Sequence, residues 1–319
     1  MITLKQLAEL SGTSIRTVRR VLDNYPHVNS EKRKLILDLA KKYNYVPNMA
    51  ARSLRLQKKN FVGILFSAFD KNASLHKLNL LNEALINNGF YPLLGKIAEN
   101  NQLECEKMFA NWAGIAEFVV VFIQADHDFT QKEFLSSMHR KYPLKFIFAD
   151  CDMHDAEYIV AVDRAGSVEQ MVHQIAEMGF KHFLYCGKLP SRKQGIEKLM
   201  NSRLPMQISM IESDYEFENG ELLGDSIASS NADVVFFDTD RMAAGFYSYA
   251  QKHRIKIPED IAVVGLDNEI YGSYLNPPLS TLSHPSEELI QRIMDIILKG
   301  KCALDPLPLK FIVRESLQK

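Results

Sequence analysis

Hydrophobic positions along the chain follow two different rhythms. In the first 42 residues they recur at helical spacing: Leu4, Leu7, Ala8 and Leu10, then Val18, Val21 and Leu22, then Leu35, Ile36, Leu39 and Ala40. From Phe61 onward they bunch into short, nearly unbroken runs: residues 61–66, 118–123, 145–149, 182–186, 234–237 and 261–266. Each run is followed by a longer polar or amphipathic segment. Apolar runs of that length predict strands buried on both faces, hence parallel sheets covered by helices. The expected fold is therefore an all-α N-terminal head followed by an α/β body. Two sheets, each built from about 100 residues, fit the length that remains.

The head is predicted in detail by its caps. Thr3-Leu4-Lys5-Gln6 is a capping box, in which Thr3 accepts from the helix and Gln6 reaches back. Ser11-Gly12 ends that helix, and Thr13 or Ser14 caps the next, which runs through Ile15-Arg16-Thr17-Val18-Arg19-Arg20-Val21-Leu22. Val18, Val21 and Leu22 share one face and leave Ile15, Arg16, Arg19 and Arg20 outward. Asn29 or Ser30 opens a third helix, expected to hold Leu35, Ile36, Leu39 and Ala40 inward. Helix, tight Gly-containing turn and helix is the helix-turn-helix pattern, whose second helix enters the DNA major groove by its N-terminal residues. Arg pairs bidentately with guanine, and Ile15 suits a thymine methyl. A three-helix interaction module is the competing reading.

Composition sharpens the division. Residues 1–60 carry 13 Lys and Arg against 4 Asp and Glu, whereas the remainder carries 25 against 35. A basic head on an acidic body suits a polyanion-binding module joined to something else. The four cysteines are scattered without a C-x-x-C pair, which suits a reducing cytoplasm and speaks against structural zinc. No signal-like segment opens the chain, and no apolar run approaches the roughly 20 residues that span a bilayer. We expect a cytoplasmic protein with no membrane partner, cofactor or metal.

Between head and body lies Pro47-Asn48-Met49-Ala50-Ala51-Arg52-Ser53-Leu54-Arg55-Leu56. Pro suits the first position of a helix, but two or three turns alone are marginal in water. Such a segment gains order against a partner, and its flanking basic residues make DNA the expected one. Thr3-Leu4-Lys5-Gln6-Leu7-Ala8, Thr17-Val18-x-Arg20-Val21-Leu22 and Tyr45-Val46-Pro47-Asn48-x-x-Ala51-Arg52-Ser53-Leu54 together resemble the head and hinge of the lactose-repressor (LacI/GalR) family of bacterial regulators. The resemblance continues through Arg192 three residues before Gly195, Asp240-Arg241-Met242-Ala243-Ala244-Gly245, residues 257–267, Pro277-Pro278-Leu279-Ser280-Thr281 and Arg314-Glu315-Ser316.

The resemblance implies a helix-turn-helix domain at 1–46, a hinge helix and linker at 47–60, and an effector-binding and dimerisation domain at 61–319. The last would resemble the two-lobed periplasmic sugar-binding proteins, with one lobe at about 61–160 and 285–306 and the other at about 161–284 and 307–319. The chain would cross between lobes near 159–163, 283–286 and 306–309. Ile15, Arg16 and Arg20 would read bases, while Ser14, Thr17, Asn24, His27 and Asn29 would lie near phosphates or the groove edge. Thr3, Tyr45, Asn48, Ala51 and Arg52 complete the expected DNA-facing set. Leu54 would wedge into the minor groove beside its counterpart from a second protomer, unstacking costing a few kcal/mol that contacts on bent DNA offset. Arg19 departs from the family, which usually has Ser there.

Polar residues gather where the predicted strands end: Ser67 and Asp70, Gln124 and Asp126, Asp150, Asp238 and Asp240, Asp267 and Asn268. In open α/β sheets ligands bind at those ends, although Asp and Asn also cap helices there. By resemblance Arg192 and Asp240 bind the effector, a sugar or sugar derivative, with Asp150, Tyr215, Phe69 and Asp70 at further pocket positions. The loop at 67–74 lacks the family's Pro and second aromatic. The nine histidines show no metal spacing, there is no nucleophile elbow or phosphate loop, and an enzyme reading finds no site. The expectation is a dimeric regulator of double-stranded operator DNA, more readily a repressor, with an effector-binding protein or an α/β enzyme as the alternative.

Overall fold

A computed structural model describes residues 2–46, 59–66, 72–97, 101–122, 129–150, 156–303 and 305–318. They form two compact units, residues 1–58 and 59–319. The hinge residues Asn48, Ala51, Arg52 and Leu54, and Phe69 and Asp70 of the first pocket loop, lie outside the described residues.

The head comprises α1 (Leu4–Leu10), α2 (Ile15–Leu22) and α3 (Ser30–Lys42). Each helix begins at a side-chain cap. Thr3 and Gln6 close the reciprocal box on α1, Ser14 accepts from Thr17 N at 3.1 Å on α2, and Asn29 accepts from the backbone of Glu31 and Lys32 on α3. Leu7, Ala8, Val18, Val21 and Ile36 make the core, with Leu22, Ala40 and Tyr45 packed against it. Leu35 departs from expectation: it is 45% exposed. Ile36 alone of that helix is fully enclosed, because a three-helix core this small accommodates one residue per turn and leaves its neighbour outside.

The body has two lobes. The first is a parallel sheet in the order β2-β1-β3-β4-β5, built from β1 (Phe61–Phe66), β2 (Tyr91–Lys96), β3 (Ala116–Phe122), β4 (Lys145–Ala149) and β5 (Tyr158–Val160). Between them run α4 (Asn72–Asn87), α5 (Gln102–Trp112) and α6 (Phe129–Lys141). After β6 (Val162–Asp163) come α7 (Arg164–Glu177), β7 (His182–Cys186), α8 (Pro190–Met200), β8 (Gln207–Ile211), α9 (Phe217–Leu222), α10 (Gly224–Ala228), β9 (Val234–Phe237), α11 (Asp240–His253), β10 (Ala262–Leu266) and β11 (Ser280–Ser283). Then α12 (Ser286–Lys299), β12 (Leu307–Pro308) and β13 (Lys310–Ile312) follow. The second sheet runs β13-β11-β10-β9-β7-β8, parallel except for β13.

The chain passes between lobes three times. It leaves the first through β6, returns after β11 into α12, which packs on α4, and leaves again through β12. β6 and β12 pair in parallel as two adjacent crossings, Leu307 beside Val162. The sheet interiors are the apolar runs themselves: Val119, Val120 and Val121 in β3, and Phe236 and Phe237 in β9, are fully buried. Burial on both faces explains why these strands read as unbroken runs rather than alternations. The expected class, a helical head and a two-lobed body with parallel sheets, describes the molecule.

Two family-like glycines mark close helix packing. A Cβ on Gly245 of α11 would lie 1.9 Å from the carbonyl oxygen of Phe217, and one on Gly195 of α8 would lie 2.6 Å from that of Ala165. The closing Arg-x-Ser is also structural. Arg314 donates to the Leu279 carbonyl at 2.6 Å and to Asn268 Oδ1 at 2.7 Å. Ser316 donates to the Val263 carbonyl at 2.6 Å.

Candidate functional site

On the head, α2 presents Ile15, Arg16, Arg19 and Arg20 to solvent while Val18 and Val21 anchor it. The i, i+3 spacing of the anchors forces the intervening residues outward. Arg20 lies over the Tyr25 ring, 5.7 Å from its centroid, which holds the guanidinium near the turn after α2. Thr17 is half-buried and its hydroxyl meets that of Ser14 at 2.9 Å. Asn24 has a positive φ of 56° and accepts from Arg33 at 2.9 Å. Arg33 also donates to the Tyr25 carbonyl, so the turn between α2 and α3 is pinned from α3. His27 is exposed. Thr3, Ser14 and Asn29 use their side chains as caps, Tyr45 packs against the core, and the scaffold thus made carries a face of exposed cationic side chains on α2.

In the body, most of the polar residues at the strand ends are locked inward. Asp238 is fully buried; Tyr185 donates to one oxygen, and the backbone of Lys188 and Leu189 donates to the other at 2.8 and 3.0 Å. Burial raises its pKa, while the Arg192 guanidinium pulls it back. Arg192 itself is 7% exposed. Asp240 differs from the expected ligand role. It follows the N-cap Thr239 and turns beneath the 267–269 segment, where Thr281 Oγ1 donates to Oδ1 and Glu269 N to Oδ2, each at 2.7 Å. It is fully enclosed, and burial, then the nearby Asp267 charge, pushes its pKa up to about 7.

Asp150 belongs to a second cluster, where the lobes meet. Just after β4, at φ 61°, it receives Lys77 from α4 on one oxygen and Arg164 from α7 on the other. Lys77 and Arg164 are 5% and 6% exposed. Despite burial, the two cations hold the Asp150 carboxyl far below the usual carboxylate range. His284, between β11 and α12, places Nδ1 4.0 Å from Asp150 and Nε2 3.2 Å from Asp267 at the end of β10.

Tyr215, Glu216, Thr239, Arg241, Asp267, Glu269 and Tyr271 surround a cavity of about 30 Å³ in the second lobe, room for one or two waters or one polar group of a ligand. Of the residues expected to bind an effector, Tyr215 is the one on this wall. Arg241 is held by Glu216 at 2.7 Å. A larger groove of about 640 Å³, lined by Tyr247, Ile257, Tyr274 and Pro277 among others, contains none of them among the described residues.

A model of the bacterial regulatory proteins of the lacI family matches residues 3–48, the helices just described. A periplasmic binding protein-like domain matches residues 172–315. The chain therefore carries a lacI-family helix-turn-helix domain and a periplasmic-binding-protein-like domain. Among its relatives, the probable HTH-type transcriptional repressor ExuR of Bacillus subtilis (strain 168) is 26% identical over 345 residues, covering 100% of this chain and 99% of the relative. The ribose operon repressor of Haemophilus influenzae (strain ATCC 51907 / DSM 11121 / KW20 / Rd) is 24% identical over 320 residues, covering 94% and 92%. The lac repressor dimer bound to operator and the anti-inducer ONPF superposes with a TM-score of 0.84 at 19% identity over 99% of each chain.

In the body, sequence reasoning passed over Lys77, Arg164 and His284. They lie on a helix, at a helix start and in a crossing, 73 and 14 residues from Asp150 for the two cations; nothing local marks them. Asp267 was visible as a strand-end residue but was given no role. Its φ of 112°, rare for a residue with a side chain, and its place on the cavity wall single it out.

Proposed function

We propose that the protein is a cytoplasmic transcription regulator that binds a specific DNA operator as a homodimer and acts as a repressor. A small effector, a sugar or sugar derivative, is taken up between the two lobes and alters operator affinity. The observation that carries this is the α2 face: Ile15, Arg16, Arg19 and Arg20 stand outward on a helix whose other side is fixed by Val18 and Val21. Arg16, Arg20 and Ile15 read base edges, while Ser14, Thr17, Arg19, Asn24, His27 and Asn29 sit toward the phosphates. Residues 47–60 form the hinge, with Leu54 as the minor-groove wedge and Asn48, Ala51 and Arg52 beside it. Two-fold symmetry of the dimer calls for a pseudo-palindromic site.

On the effector side, Tyr215 offers a stacking face, and Asp267 and Thr239 offer hydrogen bonds to adjacent hydroxyls. Arg192 and Asp240 act from beneath, by holding Asp238 and the 267–269 turn. The relation to a ribose operon repressor supports a sugar-like ligand. The effector shifts the lobe arrangement by no more than its differential affinity for the two states, commonly about 1–3 kcal/mol.

Operator selection from random duplexes, followed by fluorescence anisotropy against salt, tests the reading. Affinity falls steeply with salt, each neutralised phosphate contributing about −0.9 to the log–log slope. Leu54→Ala weakens specific binding far more than non-specific binding. A flat salt response, or equal loss on both kinds of DNA, removes the regulator or the wedge respectively. A sugar panel read by thermal shift then identifies the effector, since a ligand of the folded state raises stability.

A further inference from the structure

The charge cluster where the lobes meet has a structure beyond ligand binding. Asp150 and Lys77 belong to the first lobe, whereas Arg164 and Asp267 belong to the second, and His284 stands in a crossing between them. Asp150–Arg164 is therefore an interlobe ion pair, and Asp150–His284–Asp267 is a chain of side chains spanning the junction. Among the described residues, the titratable and charged groups that face the imidazole are Lys77 from α4, Asp150 after β4, Arg164 from α7 and Asp267 after β10.

Charge balance decides what the imidazole does. Among the described residues two cations, Lys77 and Arg164, meet two carboxylates, Asp150 and Asp267, so these four groups balance while His284 is neutral. The His284 side chain is 8% exposed, and its Nδ1 is buried with no hydrogen-bond partner among the described residues. With Nε2–H donating to Asp267, Nδ1 turns a bare lone pair toward Asp150 at 4.0 Å. A proton there gives the cluster a third buried cation, beside two already spent on Asp150. Separating the lobes removes that conflict: it hydrates the ring and carries the Lys77 charge away from it.

We propose that His284 is a proton-operated latch between the lobes: the closed arrangement excludes a proton from the ring, and acidification opens it. Burial first, then the Lys77 charge, lowers the pKa of His284 in the closed form. The sign follows. A group whose pKa is lower closed than open opposes closure as pH falls, beginning at the ordinary histidine value near 6.5 and saturating below the closed-form value. One proton changes the open-to-closed ratio by at most about tenfold per pH unit in that window. Asp150, held far below the window, does not contribute. Asp240 titrates near 7, but within one lobe, and it is present equally in a His284 variant. The latch stands whatever the effector is.

The test uses the full chain without DNA or effector. Small-angle scattering between pH 8 and pH 5.5 follows lobe separation in the wild type and in His284→Gln, and histidine-labelled NMR follows the ring in the wild type. The wild type expands on acidification, His284→Gln keeps one size throughout, and the His284 resonance titrates below 6.5. An unchanged wild type, an equal expansion of the variant, or a His284 midpoint at or above 6.5 overturns the proposal. Should His284→Gln fail to fold, the wild-type scattering and the His284 midpoint decide alone.

Discussion

The head and the body handle their polar residues in opposite ways. In the head, a core of five enclosed side chains and three caps fixes the helices, and the residues that face outward on α2 lie outside that core. In the body, the polar residues at the strand ends are themselves structural: Asp238 and Asp240 are buried and hydrogen-bonded to their neighbours, and Asp150 is clamped between the buried Lys77 and Arg164. Recognition and stability are thus separable in the first unit and entangled in the second. The physical cause is solvent. An exposed Arg keeps its hydration and costs the fold nothing, whereas a buried carboxylate persists only if its neighbours satisfy it.

Substitutions can break or sharpen this contrast. Asp150→Ala leaves Lys77 and Arg164 buried without their shared anion, and is expected to destabilise the body by about 3–5 kcal/mol in a denaturant titration; a loss under 1 kcal/mol would show the cluster to be well hydrated. Asp240 acts through pH. Its pKa near 7 lies above the ordinary carboxylate value, so its contribution to stability is greatest in acid and declines as pH rises through 4 to 7, by roughly 1 kcal/mol per pH unit. Asp240→Asn removes that slope, whatever constant offset follows from the acceptor lost to Glu269 N; identical pH–stability slopes in the two proteins refute the assignment. Arg16→Ala is expected to cost about 1–3 kcal/mol in specific operator affinity, with stability changed by less than about 0.5 kcal/mol. A drop in melting temperature comparable to the binding loss would erase the distinction drawn here. Smallest is Asn29→Ala, which deletes a cap and should cost the head about 1 kcal/mol, read by helix content on heating.

The strands buried on both sides, β1, β3, β4, β7, β9 and β10, were legible because nothing polar interrupts them. β2 and β8 were not. They are the edge strands of their sheets, and the mixed sequences Tyr91-Pro92-Leu93-Leu94-Gly95-Lys96 and Gln207-Ile208-Ser209-Met210-Ile211 reflect partial exposure. β6 and β12, two residues each, carry no periodicity at all. The three caps of the head were legible because a cap acts within four residues. The charge cluster at the junction was not, since Lys77, Asp150 and His284 are brought together only by tertiary folding. Asp240 shows the limit from the other side: a residue type suited to a ligand, at a strand end suited to a ligand, was claimed by Thr281 and the Glu269 backbone instead. Leu35 shows that helical period alone does not tell how wide a buried stripe is.

The helix α12 closes the first lobe although it follows nearly all of the second. Leu289, Ile290 and Ile293 on it share a core with Leu81 and Leu85 of α4, more than 200 residues earlier. During synthesis, then, the amino-terminal lobe waits with a bare greasy flank until residues 286–299 have emerged. A message cut short before residue 286 leaves that flank of the first lobe uncovered, the kind of exposed apolar surface that aggregates.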